Sequence, residues 1–384
     1  MREDAVETAS SRIFPHTFTI QEAGMVQTDK PVLRVLGLLA LVAITVAILA
    51  GGFIILQTMQ GSKILMTLFA VVWGLGSVAL LFFVMNSVAQ TMPRKIRSVA
   101  VAVVFAGPAV ALLFWALVLP TLRTLFLSFF DATGKKFIFI DNYRFAFSDP
   151  IMLEAFKNNL LWMIFGTSTC VILGIMISVL VDKSKFEKFI KALIFMPMAI
   201  SFVGAGVIWK FMYAYKGEGI NITEIGLLNA IVVALGGEAQ AWLLVPFWNN
   251  FFLIAIMVWL QTGYAMVIIS SAIKSIPEAI MEAARVDGAE DITIFFRITI
   301  PSIMPTIITV TTTILIFSLK LFDIVRVMTG GNYGTNVIAN EFYLRQFTYG
   351  NSGQASAIAI VLLVVITPVL VYNLREFRSR RTLK

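Results

Sequence analysis

The hydrophobic positions of this chain fall into long apolar runs separated by short polar segments. Eight runs are long enough and poor enough in charge to predict membrane-spanning helices. They lie near 32–56, 64–85, 99–127, 159–181, 190–213, 249–273, 302–324 and 354–374. Pro197, Gly204 and Gly206 interrupt the fifth run, so we expect it to lie inside the bundle, where neighbouring helices satisfy the freed backbone groups.

The composition supports a membrane protein. Of the 384 residues, 59% are hydrophobic and 14% are charged, and the mean hydropathy is +0.88, which is more apolar surface than a soluble domain buries. We therefore predict an all-α fold, a polytopic membrane helical bundle of about eight transmembrane helices. Cys170 is the single cysteine and lies in an apolar run, which excludes a disulfide within the chain and a Cys/His zinc site, so no metal ligands are predicted.

The distribution of Lys and Arg predicts an orientation. Basic residues collect in alternate polar segments, whereas the intervening loops carry mixed charge. The basic segments are 94–97, 183–191 and 375–384; the mixed ones are 130–157, 214–248 and 325–353. By the positive-inside rule, both termini and the stretch 274–301 are cytoplasmic. The same rule accounts for the net charge of +8, so no nucleic-acid partner is predicted.

The stretch 275–301 is the longest patterned polar segment between two apolar runs. Ser275-Ile276-Pro277-Glu278 has capping-box spacing, which predicts a short helix running to about Val286. Gly288 follows and predicts a turn, and a second short helix is expected to begin with Glu290 and Asp291. Pro301 marks the expected entry to the next span. On spacing alone, the stretch fits equally well a docking elbow for a soluble partner and an amphipathic connector.

The residues of this stretch resemble the EAA loop of binding-protein-dependent ABC importers. That motif reads E-A-A, three residues, G, nine residues, I-x-L-P. The matching positions are Glu282-Ala283-Ala284, Gly288 and Ile298-Thr299-Ile300-Pro301, with Ile300 in place of the usual leucine. That many positions at fixed spacing favour the docking elbow.

From about residue 105 to the end, the chain resembles the sugar permeases of the maltose-transporter type. The matching segments are Asp141-Asn142-Tyr143, Phe195-Met196-Pro197, Gly226-Leu227-Leu228-Asn229, Phe322-Asp323, Thr329-Gly330-Gly331 and Ala355-Ser356-Ala357. Phe139-Ile140 replaces the Gly-Leu that precedes the first segment in the family. The chain also lacks the large extracellular domain of the family's eight-helix subunit, which it otherwise resembles in its added N-terminal hairpin.

The resemblance implies the transmembrane subunit of an ATP-driven importer in the bacterial cytoplasmic membrane. Its cargo would be a sugar such as an α-glucoside, maltose or trehalose. The implied partners are a second homologous permease, a dimeric cytoplasmic ABC ATPase and an extracytoplasmic solute-binding protein. The chain contains no G-x-x-x-x-G-K-[ST] phosphate loop, so it is not expected to be an enzyme or to hold a cofactor. ATP and Mg²⁺ would be bound by the ATPase. The residues implied to couple to it are Glu278, Glu282, Ala283, Ala284, Arg285, Asp287, Gly288 and Ala289.

The resemblance also implies a sugar pocket in the two helices that flank the loop. Its candidate residues are Trp259, Leu260, Gln261, Tyr264, Phe317, Ser318 and Leu321. Ordinary helix packing is the alternative for each aromatic residue. Lys320, Asp323 and Arg326 have the spacing of a charged row on one helix, which suggests either a substrate gate or an interfacial ion pair.

The predicted organisation has four segments. They are a cytoplasmic tail at 1–31, a transmembrane hairpin with a basic linker at 32–98, a permease core at 99–374 and a basic cytoplasmic tail at 375–384. Two other functions are considered, an ion-coupled secondary transporter and a membrane scaffold that anchors a cytoplasmic complex. The first would require carboxylates at the centres of spans and usually inverted repeats, and the sequence shows neither.

Overall fold

The structure, a computed structural model, describes residues 31–58, 62–182, 184–216 and 226–381. The predicted cytoplasmic tail before Pro31, the turn at 60–61, Lys183 and residues 382–384 lie outside the described residues. The helices run Pro31–Thr58, Lys63–Gln90, Arg94–Leu113, Leu119–Leu127, Asp141–Ser148, Pro150–Leu161, Thr167–Asp182, Glu187–Phe195, Phe202–Met212, Leu227–Ala234, Trp248–Lys274, Glu278–Val286, Asp291–Ile294, Ile300–Leu319, Asp323–Met328, Ile338–Tyr343 and Ser352–Arg381. Wider π-helical turns lie at Phe114–Val118, Trp162–Gly166, Phe295–Thr299 and Leu344–Thr348.

The all-α prediction is confirmed, and so is the approximate number of spans. Among the residues that the structure describes, seven continuous helices are long and apolar enough to cross a membrane, and there are eight spans if one bent pair is counted as a crossing. The seven are Leu36–Thr58, Lys63–Gln90, Ile96–Leu127, Pro150–Asp182, Trp248–Lys274, Asp291–Leu319 and Ser352–Asn373. Within the described part of the chain, the only strand pairing is one isolated bridge between Phe130 and Phe137.

The fifth predicted span is the bent pair, which we call the broken span. Its first arm, Glu187–Ala199, and its second arm, Phe202–Met212, meet at an angle of 102°. Pro197 lies in a 3₁₀ turn at the end of the first arm, and Ser201 caps the second arm by accepting a hydrogen bond from Gly204 N at 3.1 Å. The interruption predicted from Pro197 is therefore present. We expected the whole broken span to be buried in the bundle. In the second arm this holds for Ala205, which is buried, but not for Phe211, which is 74% exposed.

Two predicted starts are too late, since the spans begin at Pro150 and Asp291 rather than near 159 and 302. The seventh span shows the physical reason. In a regular helix the ring of Pro301 would clash with the carbonyl of residue 297, but that carbonyl lies in the π-helical turn Phe295–Thr299. The helix that begins at Asp291 therefore continues through the proline into the membrane.

The chain divides into two compact units, one ending at Val118 and one beginning at Leu119. The predicted core boundary at residue 99 falls inside the first unit and stays a prediction. In that unit the helices Pro31–Thr58 and Lys63–Gln90 pack together, and a Cβ added at Gly52 would lie 1.7 Å from the Trp73 ring. Only 6% of the most apolar stretch of Lys63–Gln90 is buried, as expected for a helix solvated by lipid.

The second unit is organised around the helix Trp248–Lys274, which we call the central helix. In its most apolar stretch 61% of the residues are buried, the largest fraction of any continuous span described. Glycines allow the close approach of its neighbours. A Cβ added at Gly174 would lie 2.6 Å from Ala265 Cβ, and one added at Gly263 would lie 2.5 Å from the Ile194 carbonyl oxygen. The central helix is thus packed directly against Pro150–Asp182 and the first arm.

Candidate functional site

The polar stretch after the central helix folds into a short helix and a turn, which we call the elbow (residues 275–290). The elbow helix, Glu278–Val286, ends as predicted and begins at Glu278, the last residue of the predicted start. The capping-box prediction is wrong, however. Pro277 precedes the elbow helix and no side chain caps it, while the Ser275 hydroxyl donates to Ala272 O at 2.7 Å. Ser275 therefore closes the central helix instead of opening the elbow helix.

Gly288 forms the predicted turn. Its φ is +79°, a left-handed conformation that a residue with a Cβ adopts only with strain. Gly288 N donates to Arg285 O at 3.0 Å, and Ala289 N donates to Ala284 O at 3.0 Å. These two bonds are the pair that defines a Schellman helix end. The turn satisfies the last carbonyls of the elbow helix with backbone groups of the elbow itself.

The elbow helix presents its side chains outward. None of its residues is buried, and Val286 is 87% exposed and Ile280 47% exposed. Arg285 Nε lies 4.0 Å from Asp291 Oδ1 across the turn, a long ion pair between exposed groups that contributes little to stability. The predicted coupling residues share this helix and turn. Glu278, Glu282, Ala283, Arg285, Asp287 and Gly288 are exposed, and Ala284 and Ala289 are half-buried.

The second predicted short helix is not a separate arm. It spans Asp291–Ile294 and passes through the π-helical turn directly into Ile300–Leu319. The elbow is therefore joined closely to two spans, because the central helix ends four residues before Glu278 and the next span begins three residues after Gly288.

The predicted sugar-pocket residues divide between the protein core and the surfaces of the spans. Leu260 and Leu321 lie in the hydrophobic core, at 1% and 5% exposure. Ser318 is 1% exposed, and its hydroxyl donates within its own helix to Leu315 O at 2.8 Å. These three side chains are engaged in packing or in backbone hydrogen bonds in this conformation.

Gln261 differs from these three. It lies at the middle of the central helix and is 7% exposed, yet within the described residues its amide forms no hydrogen bond. Buried amides normally have a hydrogen-bond partner, which distinguishes Gln261 from the three candidates above. Tyr264 lies one turn further along the same helix side and is half-buried.

Two of the three aromatic candidates, Trp259 and Phe317, contact the second arm. Trp259 packs edge-on against Trp209, with ring centroids 5.8 Å apart, and Phe317 lies 4.7 Å from Phe202. Trp259 also lines a cleft of about 590 Å³ together with Thr262 of the same helix. Sequence reasoning did not select Trp209 or Phe202. Their position beside the Pro197 break was the available signal, because breaks in spans tend to line cavities.

The predicted charged row does not exist as one helix face. Leu319 ends its helix, and Asp323 begins a new short helix, Asp323–Met328. In the described part of the chain, Lys320, Asp323 and Arg326 form no ion pair within 4.0 Å; Arg326 instead lies over the Tyr343 ring at 4.7 Å. The three residues therefore do not form an ion pair with one another, and the gate and interfacial ion-pair alternatives both stay predictions.

With this geometry established, comparison with known proteins defines the class. The family model described as "Binding-protein-dependent transport system inner membrane component" matches residues 170–383, more than half of the chain. The chain belongs to this family of multi-pass inner-membrane transport permeases, and the resemblance drawn from the elbow is confirmed.

Two relatives in this family are named for the compounds that they transport. The chain is 52% identical over 280 residues to the "Osmoprotective compounds uptake permease protein GgtC" of Synechocystis sp., covering 73% of this chain and 100% of that protein. It is 45% identical over 273 residues to the "Alpha-glucoside transport system permease protein AglF" of Rhizobium meliloti, covering 71% and 81%. A solved bacterial alginate ABC transporter has the same fold, with a TM-score of 0.62, 22% identity, and coverage of 73% of this chain and 94% of that one.

Proposed function

We propose that this chain is the transmembrane subunit of an ATP-driven importer that carries a sugar and is driven through the elbow by a separate ATPase. The observation that carries the proposal is the exposed elbow helix closed by Gly288 at the spacing of the EAA loop. Membership of a binding-protein-dependent transport family supports it. The further partners implied by the family are a second permease of the same kind and an extracytoplasmic binding protein. ATP and Mg²⁺ belong to the ATPase.

The chemistry of the elbow suits docking into a groove. Ala283 and Ala284 are small enough to let another backbone approach closely, and the exposed Val286 offers an apolar contact. Glu282 and Arg285 supply polar contacts at its edge. When the ATPase pair closes on ATP, it binds the elbow differently from the open pair, and this difference in binding free energy shifts the bundle between inward- and outward-facing states.

The proposed orientation places the elbow in the cytoplasm. Lys185 and Lys188 are exposed, and the same segment is joined to the end of the central helix through Lys274 and Glu187. The basic segment and the elbow therefore lie at one end of the second unit. Since basic segments stay on the cytoplasmic side, the elbow is accessible to a cytoplasmic ATPase.

The proposed sugar path lies where the central helix, the helix Ile300–Leu319 and the second arm meet. Gln261 offers free amide groups at the middle of the membrane, and Trp259 and Phe317 offer aromatic faces. Sugars present hydroxyl groups and apolar ring faces, so this combination suits them. The remaining candidates, Leu260, Ser318 and Leu321, would contact the cargo only after the packing around them rearranges.

We propose an α-glucoside-like sugar as the cargo. The 45% identity to a relative named for alpha-glucoside transport supports it. A second candidate is an osmoprotective compound, favoured by the 52% identity to a relative named for their uptake. A panel of trehalose, sucrose, maltose and glycine betaine tests both candidates. Maltose and glycine betaine separate them, because maltose is an α-glucoside and glycine betaine is an osmoprotectant without a sugar ring.

Purification of the membrane complex tests the proposal. We expect an ATPase and a second permease to co-purify, and ATP hydrolysis to rise when the cognate binding protein and one panel compound are added. An importer driven by an ion gradient would instead take up the compound without ATP. A scaffold would retain a cytoplasmic partner but transport nothing.

Labelling in intact cells tests the orientation. A single-cysteine variant, Arg285→Cys in a Cys170→Ala background, is expected to resist membrane-impermeant maleimide from outside and to react after the cells are opened. Arg285 is more than half exposed, so the site itself is reachable. Reaction from outside would place the elbow on the wrong side for an ATPase and refute the proposal.

A further inference from the structure

Five polar side chains form a connected cluster where the elbow joins the bundle, which we call the root cluster. Its members are Asp182, Glu187, Lys191, Ser270 and Lys274. Lys191 Nζ donates to Glu187 Oε1 at 2.7 Å and also to Asp182 Oδ1 and Ser270 Oγ. Ser270 Oγ donates to Asp182 Oδ1 at 2.7 Å, and Lys274 pairs with the same Glu187 oxygen.

The root cluster is partly buried and electrically balanced. The side chains of Lys191 and Asp182 are 17% and 13% exposed, and Ser270 is 2% exposed. Two ammonium groups face two carboxylates, so the charges cancel. Asp182 Oδ2 is buried and forms no hydrogen bond in the described structure. The negative charge of this carboxylate is compensated by its ion pair with Lys191. Removing one partner of such a pair leaves an uncompensated charge, whereas removing both does not.

Three elements meet at this cluster. Asp182 is the last residue of Pro150–Asp182, Glu187 and Lys191 belong to the first arm, and Ser270 lies in the last turns of the central helix. The central helix ends at Lys274, immediately before the elbow. Lys191, Asp182 and Ser270 bond to one another and so join the three elements. Of these three, only Lys191 also bonds to Glu187, which pairs with Lys274 at the base of the elbow.

The first arm continues the connection towards the proposed sugar path. One turn beyond Lys191, the first arm touches the central helix so closely that a Cβ at Gly263 would lie 2.5 Å from Ile194 O and 2.7 Å from Phe195 Cα. The first arm then reaches the 102° bend, after which Phe202 packs against Phe317. A continuous set of contacts therefore runs from the elbow to the second arm.

We infer that Lys191 is a positioning residue for transport: it ties the base of the elbow to the first arm, so that movement of the elbow is transmitted to the bend of the broken span. The inference rests on the proposed function. Lys191 touches neither ATP nor cargo in this arrangement; it sets how much elbow movement reaches the sugar path. Single residues within a network of packed side chains and ion pairs can modulate the coupling between two sites.

The test uses the complete complex in vesicles and measures sugar imported per ATP hydrolysed. Lys191→Met keeps the apolar stem and removes the charge. We expect ATP hydrolysis to persist and sugar per ATP to fall by about fivefold or more, the lower end of the range typical of coupling between sites. Lys188→Met is the matched control, since Lys188 is exposed, lies on the same helix and forms no ion pair within the described residues. The control should leave the ratio unchanged.

A paired variant separates positioning from folding. Asp182→Asn with Lys191→Met removes both charges, so it should restore any assembly lost in Lys191→Met while leaving sugar per ATP low. Ser270→Ala removes one hydroxyl and no charge, so it retains assembly and should lower the ratio in the same direction. If any assembled variant of Lys191 imports the normal amount of sugar per ATP hydrolysed, the inference is overturned. The same holds if sugar uptake and ATP hydrolysis fall in equal proportion.

The unaltered complex distinguishes failure of the inference from failure of the proposed function. If the unaltered complex shows no hydrolysis that depends on binding protein and sugar, the proposed function is refuted and the inference falls with it. If the unaltered complex is coupled and Lys191→Met is coupled equally well, only the inference is refuted.

Discussion

The elbow and the segment Lys320–Asn351, which we call the clamped loop, lie at opposite ends of the central helix and are held in opposite ways. The elbow closes on its own backbone and buries none of the elbow helix. The clamped loop is held by side chains from distant spans. Asn158 Nδ2 donates to Gly334 O at 2.9 Å and to Asn336 O at 2.8 Å, and Asn249 Nδ2 donates to Tyr333 O at 2.7 Å.

The two regions use glycine differently. Gly288 has φ +79° and open space around its missing Cβ. Gly331 has φ +89°, and a Cβ there would lie 2.4 Å from Asn340 Nδ2 and 2.7 Å from Asn336 Oδ1. Gly288 is therefore required by conformation alone, whereas Gly331 is required by conformation and by space. The elbow keeps its surface free, as its proposed docking requires, whereas the clamped loop is filled by side chains of the bundle.

The largest effect is expected at the clamped loop. Gly331→Ala adds backbone strain and pushes apart the Asn336–Asn340 contact, so the free energy of unfolding should fall by roughly 2–3 kcal/mol. Gly288→Ala adds strain without a clash and should cost about 1 kcal/mol. Thermal unfolding of the purified proteins in detergent measures both. Equal losses would show that the clamped loop is no more tightly packed than the elbow.

A large effect on transport, with the fold retained, is expected at the elbow. Gly288→Val should abolish sugar uptake and leave membrane insertion intact, because a β-branched residue resists positive φ. Gly288→Asn should keep uptake, since asparagine tolerates the left-handed conformation. Gly236→Val is a matched control with φ +83° and similarly open space outside the elbow. Normal uptake in Gly288→Val would refute the assigned role of the turn.

The smallest of these effects is expected from the charge of the elbow surface. Glu282→Lys should weaken retention of the ATPase by about tenfold, because it reverses one exposed charge without altering the turn. Co-purification at graded salt concentration measures the retention. Glu238→Lys, an exposed acid outside the elbow, should have no effect. If both variants retain the ATPase equally, Glu282 is an ordinary surface charge.

Local patterns predicted much of this molecule. Apolar run length gave the spans, and Gly288 at its spacing gave the turn, because both depend on residues close together in the chain. The Ser275 prediction failed because the same hydroxyl has two nearby partners, and the end of the central helix takes it. The charged row at Lys320 failed because the helix ends one residue earlier, at Leu319.

Contacts between distant residues could not be predicted in this way. Asn158 and Gly334 are separated by 176 residues and Lys191 and Ser270 by 79. Helical periodicity says which side of a helix is apolar, but not which polar group of another helix will face it. The adjacent asparagines at 158–159 and 249–250 were the visible sign, since paired amides near the ends of apolar runs require buried partners.

The backbone bonds that shape the elbow join residues no more than five positions apart, the longest being Ala289 to Ala284. The shape of the elbow therefore depends on residues close to it in the chain and not on hydrogen bonds from distant spans, unlike the shape of the clamped loop.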